Sequence, residues 1–147
     1  MYATRDELVR RFGELEIASL EDQDSTGSPV PAVSLAALLD ATQEADSYVA
    51  VRYPLPLPMV PTPLVVAVCD IARFRLYKDR PTEQVTYRYE AALKWLEKLA
   101  AGKVTIFFEP TVAPVEIPRA PVAIGVQYNG GVFGAATLGR MPGIEMP

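Results

Sequence analysis

The chain has no histidine, and its 147 residues include one cysteine and one tryptophan. Without histidine it lacks the usual general base at neutral pH and the commonest neutral ligand for a transition metal. The single cysteine, Cys69, excludes an intramolecular disulfide and a thiolate metal cluster. Its place in an apolar helical run marks it as a reduced core thiol, as expected of a protein folded in a reducing cytoplasm. Long apolar runs are missing too. The longest, Leu64 to Cys69, is far too short to cross a bilayer, and the amino terminus MYATRDELVRR carries no apolar stretch, so neither a membrane span nor a signal peptide is expected. Phosphate-binding signatures are also absent: there is no Walker A motif and no GxGxxG. The glycine-rich YNGGVFG at 128–134 lacks the Gly-Lys-Ser/Thr ending and reads as a hairpin turn. Basic charge is in deficit, with 14 Lys and Arg against 18 Asp and Glu, and a net charge of −4 weakly repels nucleic acid.

The length suits one domain, and local signals divide it into a helical part over 1–103 and an extended C-terminal arm over 104–147. Thr4 with Glu7 has capping-box spacing, which predicts a short helix carrying Leu8, Val9 and Phe12 and ended by Gly13. A second turn is expected from Glu14 to Leu20. The stretch EDQDSTGSPVP at 21–31 reads as an exposed loop; its acidic residues lack the spacing of a twelve-residue calcium loop. Ser34 is the expected cap of the next helix, whose apolar stripe is Leu35, Leu38, Leu39, Thr42, Ala45 and Val49.

Prolines at 54, 56, 58, 61 and 63 end that helix and impose an extended crossover with few backbone donors. Thr62 and Pro63 read as cap and first position of a helix reaching Tyr77. Thr82 opens the last one, which runs to Gly102 with Val85, Tyr89, Ala92, Leu93, Leu96 and Leu99 inward. The predicted class is therefore mainly α, a small bundle of three to four helices with a proline-rich crossover. Beyond it, VTIFF at 104–108 reads as a short strand, and Asn129-Gly130 as the turn of a hairpin over 122–133. Two strands alone are marginal, so this arm is expected to gain order from its own domain or from oligomerisation.

Charged residues inside the helices admit two readings. Asp46 and Arg52, and Asp70 and Arg73, either fix the helices as buried ion pairs or lie on a solvated face. Tyr48, Tyr53, Tyr77, Tyr87 and Tyr89 likewise suit a core edge or a subunit contact. No carboxylate pair with the spacing of an acid–base site stands out, which weighs against an enzyme.

Four segments, in order, carry a family resemblance: MYATRDELVRRFGELEIASL, LLDATQEADSYVAVRYPLPL, VVAVCDIARFRLY and VTYRYEAALKWLEKLAAGKV. Together they resemble the Mu-like bacteriophage and prophage family regarded as head–tail connectors, with DSYxxxRYPLPL the most distinctive string. The resemblance covers most of residues 1–104. It implies a structural virion protein of the phage neck, folded in the bacterial host cytoplasm. Such a protein docks on the portal ring, meets a tail-completion or tail-terminator protein, and forms a homo-oligomeric, twelvefold ring. It also implies a hinge of Tyr48, Tyr53 and Pro54 locking the crossover, and places Asp70, Arg73, Tyr77, Tyr89 and Trp95 in the family pattern. Asp46, Arg52, Asp70 and Arg73 are expected to form one polar network in the bundle. No catalytic residue, metal site or cofactor is implied. Alternatives are a tail-terminator or packaging accessory, and a DNA-contacting surface built from Arg5, Arg10, Arg11, Lys94, Lys98 and Lys103.

Overall fold

The structure, a computed structural model, describes residues 1–108. Their architecture is mainly α, with five helices and no strand among the described residues. Two short helices, α1 (Arg5–Phe12) and α2 (Glu14–Glu21), precede three long ones, α3 (Pro31–Val49), α4 (Thr62–Leu76) and α5 (Glu83–Ala100). The long helices pack pairwise on one another, and α1 and α2 close one side against α3 and α4.

Local chemistry accounts for most of the boundaries. Thr4 caps α1 by accepting from the Glu7 N–H, and Gly13 turns the chain at φ +95°, a conformation that side chains rarely adopt. Thr82 caps α5 by accepting from the Val85 N–H, and Gly102 at φ +78° follows its end. Two starts differ from expectation. Helix α3 begins at Pro31 after Val30, because a proline at the first position needs no N–H partner and has a helical φ already set; Ser34 is an interior, buried residue and no cap. Helix α4 begins at Thr62, after Pro61, with no side-chain cap.

The core combines Leu8 and Ile17 from the short helices with Leu38, Ala41, Ala45, Val49, Leu64, Val68, Ile71, Leu96 and Leu99 from the long ones. Each leucine fully withdrawn from water contributes roughly 1.5–3 kcal/mol. The expected α3 stripe needs one correction. Leu38, Thr42, Ala45 and Val49 are buried, but Leu35 and Leu39 are 45% and 47% exposed. The small residues Ser34, Ala37 and Ala41 face inward with them, and allow neighbouring helices to approach closely.

The crossover does not keep the extended path expected of it: the chain turns at 51–52 and bends repeatedly through residues 53–59 before entering α4. Residues 104–108 form no strand; they lie against Tyr53 instead. Ile106 is buried and donates its N–H to the Tyr53 hydroxyl at 3.0 Å, while the Phe108 ring meets Tyr53 edge-on at 6.0 Å. Val104 also packs on the core, so the helical body takes in these residues beyond position 103. The expected hairpin at 122–133 lies outside the described residues.

Candidate interaction surfaces

The polar residues singled out from sequence each find a different attachment. Asp46 accepts from the Tyr2 hydroxyl, and the Tyr2 N–H donates to Thr42 Oγ1 at 3.3 Å, so the amino terminus is clasped to α3. Burial, then the Asp46 hydrogen bond and charge, raise the Tyr2 phenol above its usual pKa. Arg73 reaches back to α2, donating to Glu16 at 2.6 and 3.1 Å, and Tyr77 donates to the same carboxylate at 3.1 Å. Burial first, and Glu16 second, raise the Tyr77 phenol. Asp70 accepts from Arg88 Nε of α5 at 3.0 Å. Burial pushes its carboxyl up, with Arg88 the chief opposing influence and Arg73 a lesser one. Arg52 lies over the Tyr53 ring at 5.9 Å, and its guanidinium is 3.1 Å from where a side chain on Gly102 would begin.

No hydrogen bond or salt bridge joins any two of Asp46, Arg52, Asp70 and Arg73 among the described residues. The single expected network is therefore replaced by four separate clamps. The physical reason is that each head group has a partner of its own: Tyr2 before α1 for Asp46, the adjoining Tyr53 ring for Arg52, Arg88 of α5 for Asp70 and Glu16 of α2 for Arg73. Of the three residues expected to form a hinge, Tyr48 and Tyr53 pack against the core and Pro54 is exposed.

Two clamps were not foreseen. Glu21, the last residue of α2, is fully buried and takes a two-pronged contact from Arg5, Nε at 2.7 Å and Nη2 at 2.8 Å. That contact holds its carboxyl below the usual range; the Ser34 hydroxyl helps from close by but makes no hydrogen bond of full geometry. Two guanidinium groups lie over the Phe12 ring, Arg73 at 4.4 Å and Arg88 at 5.5 Å from its centroid, which ties α1 to α4 and α5. The next acid in the run, Asp22, accepts from the Thr26 and Gly27 N–H groups at 2.8 Å each. These bonds lower its pKa, and the first two acids of EDQD are thus committed to the fold. Of the cations grouped for a DNA-contacting surface, Arg5 pairs with Glu14 and Glu21, and Arg10 and Arg11 pair with Glu7. Those acids cancel that half of the patch.

Two apolar surfaces are also exposed among the described residues. Along the outer side of α4 and α5 runs a groove made of two adjoining hollows that share Thr62, Pro63 and Trp95. One, of about 390 Å³, is walled by Met59, Val60, Ile106 and Phe107; the other, of about 480 Å³, by Val66, Ala67, Ala91 and Ala92, with Asp70 at its end. The second surface is the outer face of α3, where Ala32, Leu35, Ala36, Leu39 and Gln43 are exposed. Val30 to Leu39 contains no charged residue. The sequence holds traces of both surfaces. Leucines on two sides of α3 cannot all face one core, and a lone Trp beside Ala91 and Ala92 makes a step in the surface.

A family model described as "Bacteriophage Mu, Gp36" matches residues 2–121. The chain belongs to that family. Two relatives agree with it. "Gene product J" of Escherichia phage Mu is 35% identical over 133 residues, 90% of this chain and 93% of that protein. "Mu-like prophage FluMu protein gp36" of Haemophilus influenzae is 37% identical over 137 residues, 93% of this chain and 95% of that protein. This Gp36-family protein is therefore of phage or prophage type, and the matched region takes in the whole helical body. Among its described residues no helix is long and apolar enough to cross a membrane.

Proposed function

We propose that this protein is a head–tail connector of a Mu-like virion, an adaptor that docks on the portal ring and joins the head to a tail-completion or tail-terminator protein. The observation that carries the reading is family membership over residues 2–121, most of the chain. The physical design agrees with it. Tyr2, Glu21, Asp70 and Tyr77, whose pKa values are shifted, are tied to neighbouring elements as structural clamps, while the described residues also expose two apolar surfaces that share no residue. A subunit that presents two different patches is suited to a ring, because a cyclic assembly of one chain needs a heterologous contact in which unlike surfaces meet. The ring in the neck is twelvefold on this reading. No catalytic step is assigned to any residue.

The test is the mass of the purified full-length protein by light scattering, alone and mixed with the portal protein of the same genome. The expected result is a monomer or small oligomer that joins the portal in a fixed, ring-sized ratio. No association at micromolar concentration would overturn the portal-docking reading, and binding to the tail-tube protein in its place would favour a tail-terminator.

A further inference from the structure

We infer that the hollow beside Trp95, at the end of the bundle where α5 finishes and α4 starts, is a docking surface for a protein segment that carries carboxylates beside apolar side chains. The inference deepens the connector reading, on which it rests for the source of that segment, the portal protein.

Charge is sorted at this end of the molecule. Between Ser47 and Cys69 the only charged residue is Arg52, and between Lys98 and Phe108 the only ones are Lys98 and Lys103. The fold gathers these three. The Lys103 N–H donates to the Lys98 carbonyl at 2.9 Å, and the Arg52 guanidinium lies 3.1 Å from the point where a side chain on neighbouring Gly102 would begin. Lys94 stands one turn before Lys98 on α5. All four residues are exposed, and none enters a salt bridge among the described residues. The dipole of α5 favours cations near its last turn, but it does not account for a crossover that holds Arg52 and no carboxylate.

The cations form one bank of the hollow. On a helix with about 3.6 residues per turn, Lys98 lies about 60° round α5 from Trp95 and Lys94 about 100°. Glu90 and Glu97, the exposed acids of that half of the helix, follow at about 140° and 160°, on the side away from the hollow. Val104 and Thr105, which come directly after Lys103, line the hollow themselves. The opposite bank has no charge, and Met59, Val60 and Phe107 expose apolar surface there and at the mouth. An occupant thus meets an apolar floor around half-buried Trp95 and positive charge along one side. Rigid aromatic and methionine side chains anchor such contacts, and rim charge selects and steers the partner.

Duplex DNA fits only half of this surface. Its phosphates would meet Lys94, Lys98 and Lys103 but leave Met59, Val60, Trp95 and Phe107 with nothing to bury against, and a net charge of −4 repels it over the rest of the protein. A carboxylate-bearing protein segment meets both halves. Its apolar side chains enter the hollow while its acids stay at the rim, where the lysine stems let the ammonium groups remain in water. No unpaired charge is buried, because Asp70, the one carboxylate in the adjoining hollow, is already held by Arg88.

The test uses the full-length protein, whose single tryptophan, Trp95, reports on the hollow. Its fluorescence is quenched with iodide, caesium and uncharged acrylamide at a fixed ionic strength of about 0.1 M, each normalised to free N-acetyltryptophanamide. Iodide is expected to be at least about twofold more effective than caesium, and Lys94→Gln, Lys98→Gln and Lys103→Gln together should bring the two level. Equal quenching in the parent would overturn the inference. So would a Trp95 beyond the reach of acrylamide, because the full chain would then fill the hollow itself. The occupant is tested with the portal protein of the same genome, which should shield Trp95 from both quenchers. Lys98→Glu with Lys103→Glu should weaken portal binding at least about tenfold, as should Phe107→Ser, whereas Lys78→Glu with Arg80→Glu, at the other end of the bundle, should change it less than about threefold. Shielding by random duplex DNA and not by the portal would overturn the inference in favour of nucleic acid. Portal binding that these changes leave untouched refutes the docking surface and leaves the connector reading standing. A parent that binds no portal overturns the connector reading, and the surface is then upheld or refuted by the quenching alone.

Discussion

Replacing Arg88 by alanine tests how the α4–α5 contact is held. Asp70 is 7% exposed and accepts from Arg88 Nε at 3.0 Å, while the Arg88 side chain is 39% exposed. Breaking a fully buried pair costs about 3–5 kcal/mol. Here one partner is open to solvent, so water can reach part of the carboxylate that is left behind, and the expected cost of Arg88→Ala is about 1–2 kcal/mol. Loss of the stacking of Arg88 on Phe12 is contained in that figure. Asp70→Asn should behave differently. It removes a charge that burial already disfavours, and the freed Arg88 can turn to solvent, so a change within about 1 kcal/mol is expected.

The pH dependence follows from the direction of the Asp70 shift, which is upward through burial. A carboxyl with a raised folded pKa binds its proton more tightly in the folded state. Its contribution to stability is therefore largest below the unfolded value, and falls as pH rises through the folded one. Without Arg88 the folded value rises further, so the deficit of Arg88→Ala should be greatest near neutral pH and shrink on acidification through the aspartate range. Urea unfolding of both variants and the parent, followed by helical circular dichroism at neutral and mildly acidic pH, measures these differences. The reasoning fails if Arg88→Ala matches the parent at neutral pH, or if Asp70→Asn is the more damaging change.

Two neighbouring leucines should separate cleanly. Leu38→Ala, at a fully buried position, is expected to cost about 2–5 kcal/mol by urea unfolding, whereas Leu39→Ala, at a half-exposed one, should stay within about 0.5 kcal/mol. A chain ended after Lys103 should melt several degrees below one ended after Phe108, because it loses buried Ile106 and its bond to Tyr53. Equal melting temperatures would detach residues 104–108 from the helical body.

Helix ends were legible because their causes are local. Thr4, Gly13, Thr82 and Gly102 act on the backbone within a few residues of themselves, and each stands where the spacing predicted. The inward face of α5 was legible for a similar reason, since helical periodicity brings residues three and four apart to one side. Periodicity does not say which of several apolar stripes wins. On α3 leucines occur on two sides, and the neighbours α4 and α5 chose the one carrying Leu38 and Val49.

What the sequence by itself determined was the helical class, the proline crossover and the family. These depend on backbone conformation near each residue, or on a pattern shared along most of the chain. Charge pairing was decided only by tertiary structure. Arg73 meets Glu16 across 57 positions and Tyr2 meets Asp46 across 44, distances over which spacing in the chain carries no information about spacing in space. Tertiary structure also placed Leu35 and Leu39 in solvent and brought Met59, Trp95 and Phe107 to one groove, because an exposed apolar surface exists only once the other faces have been buried.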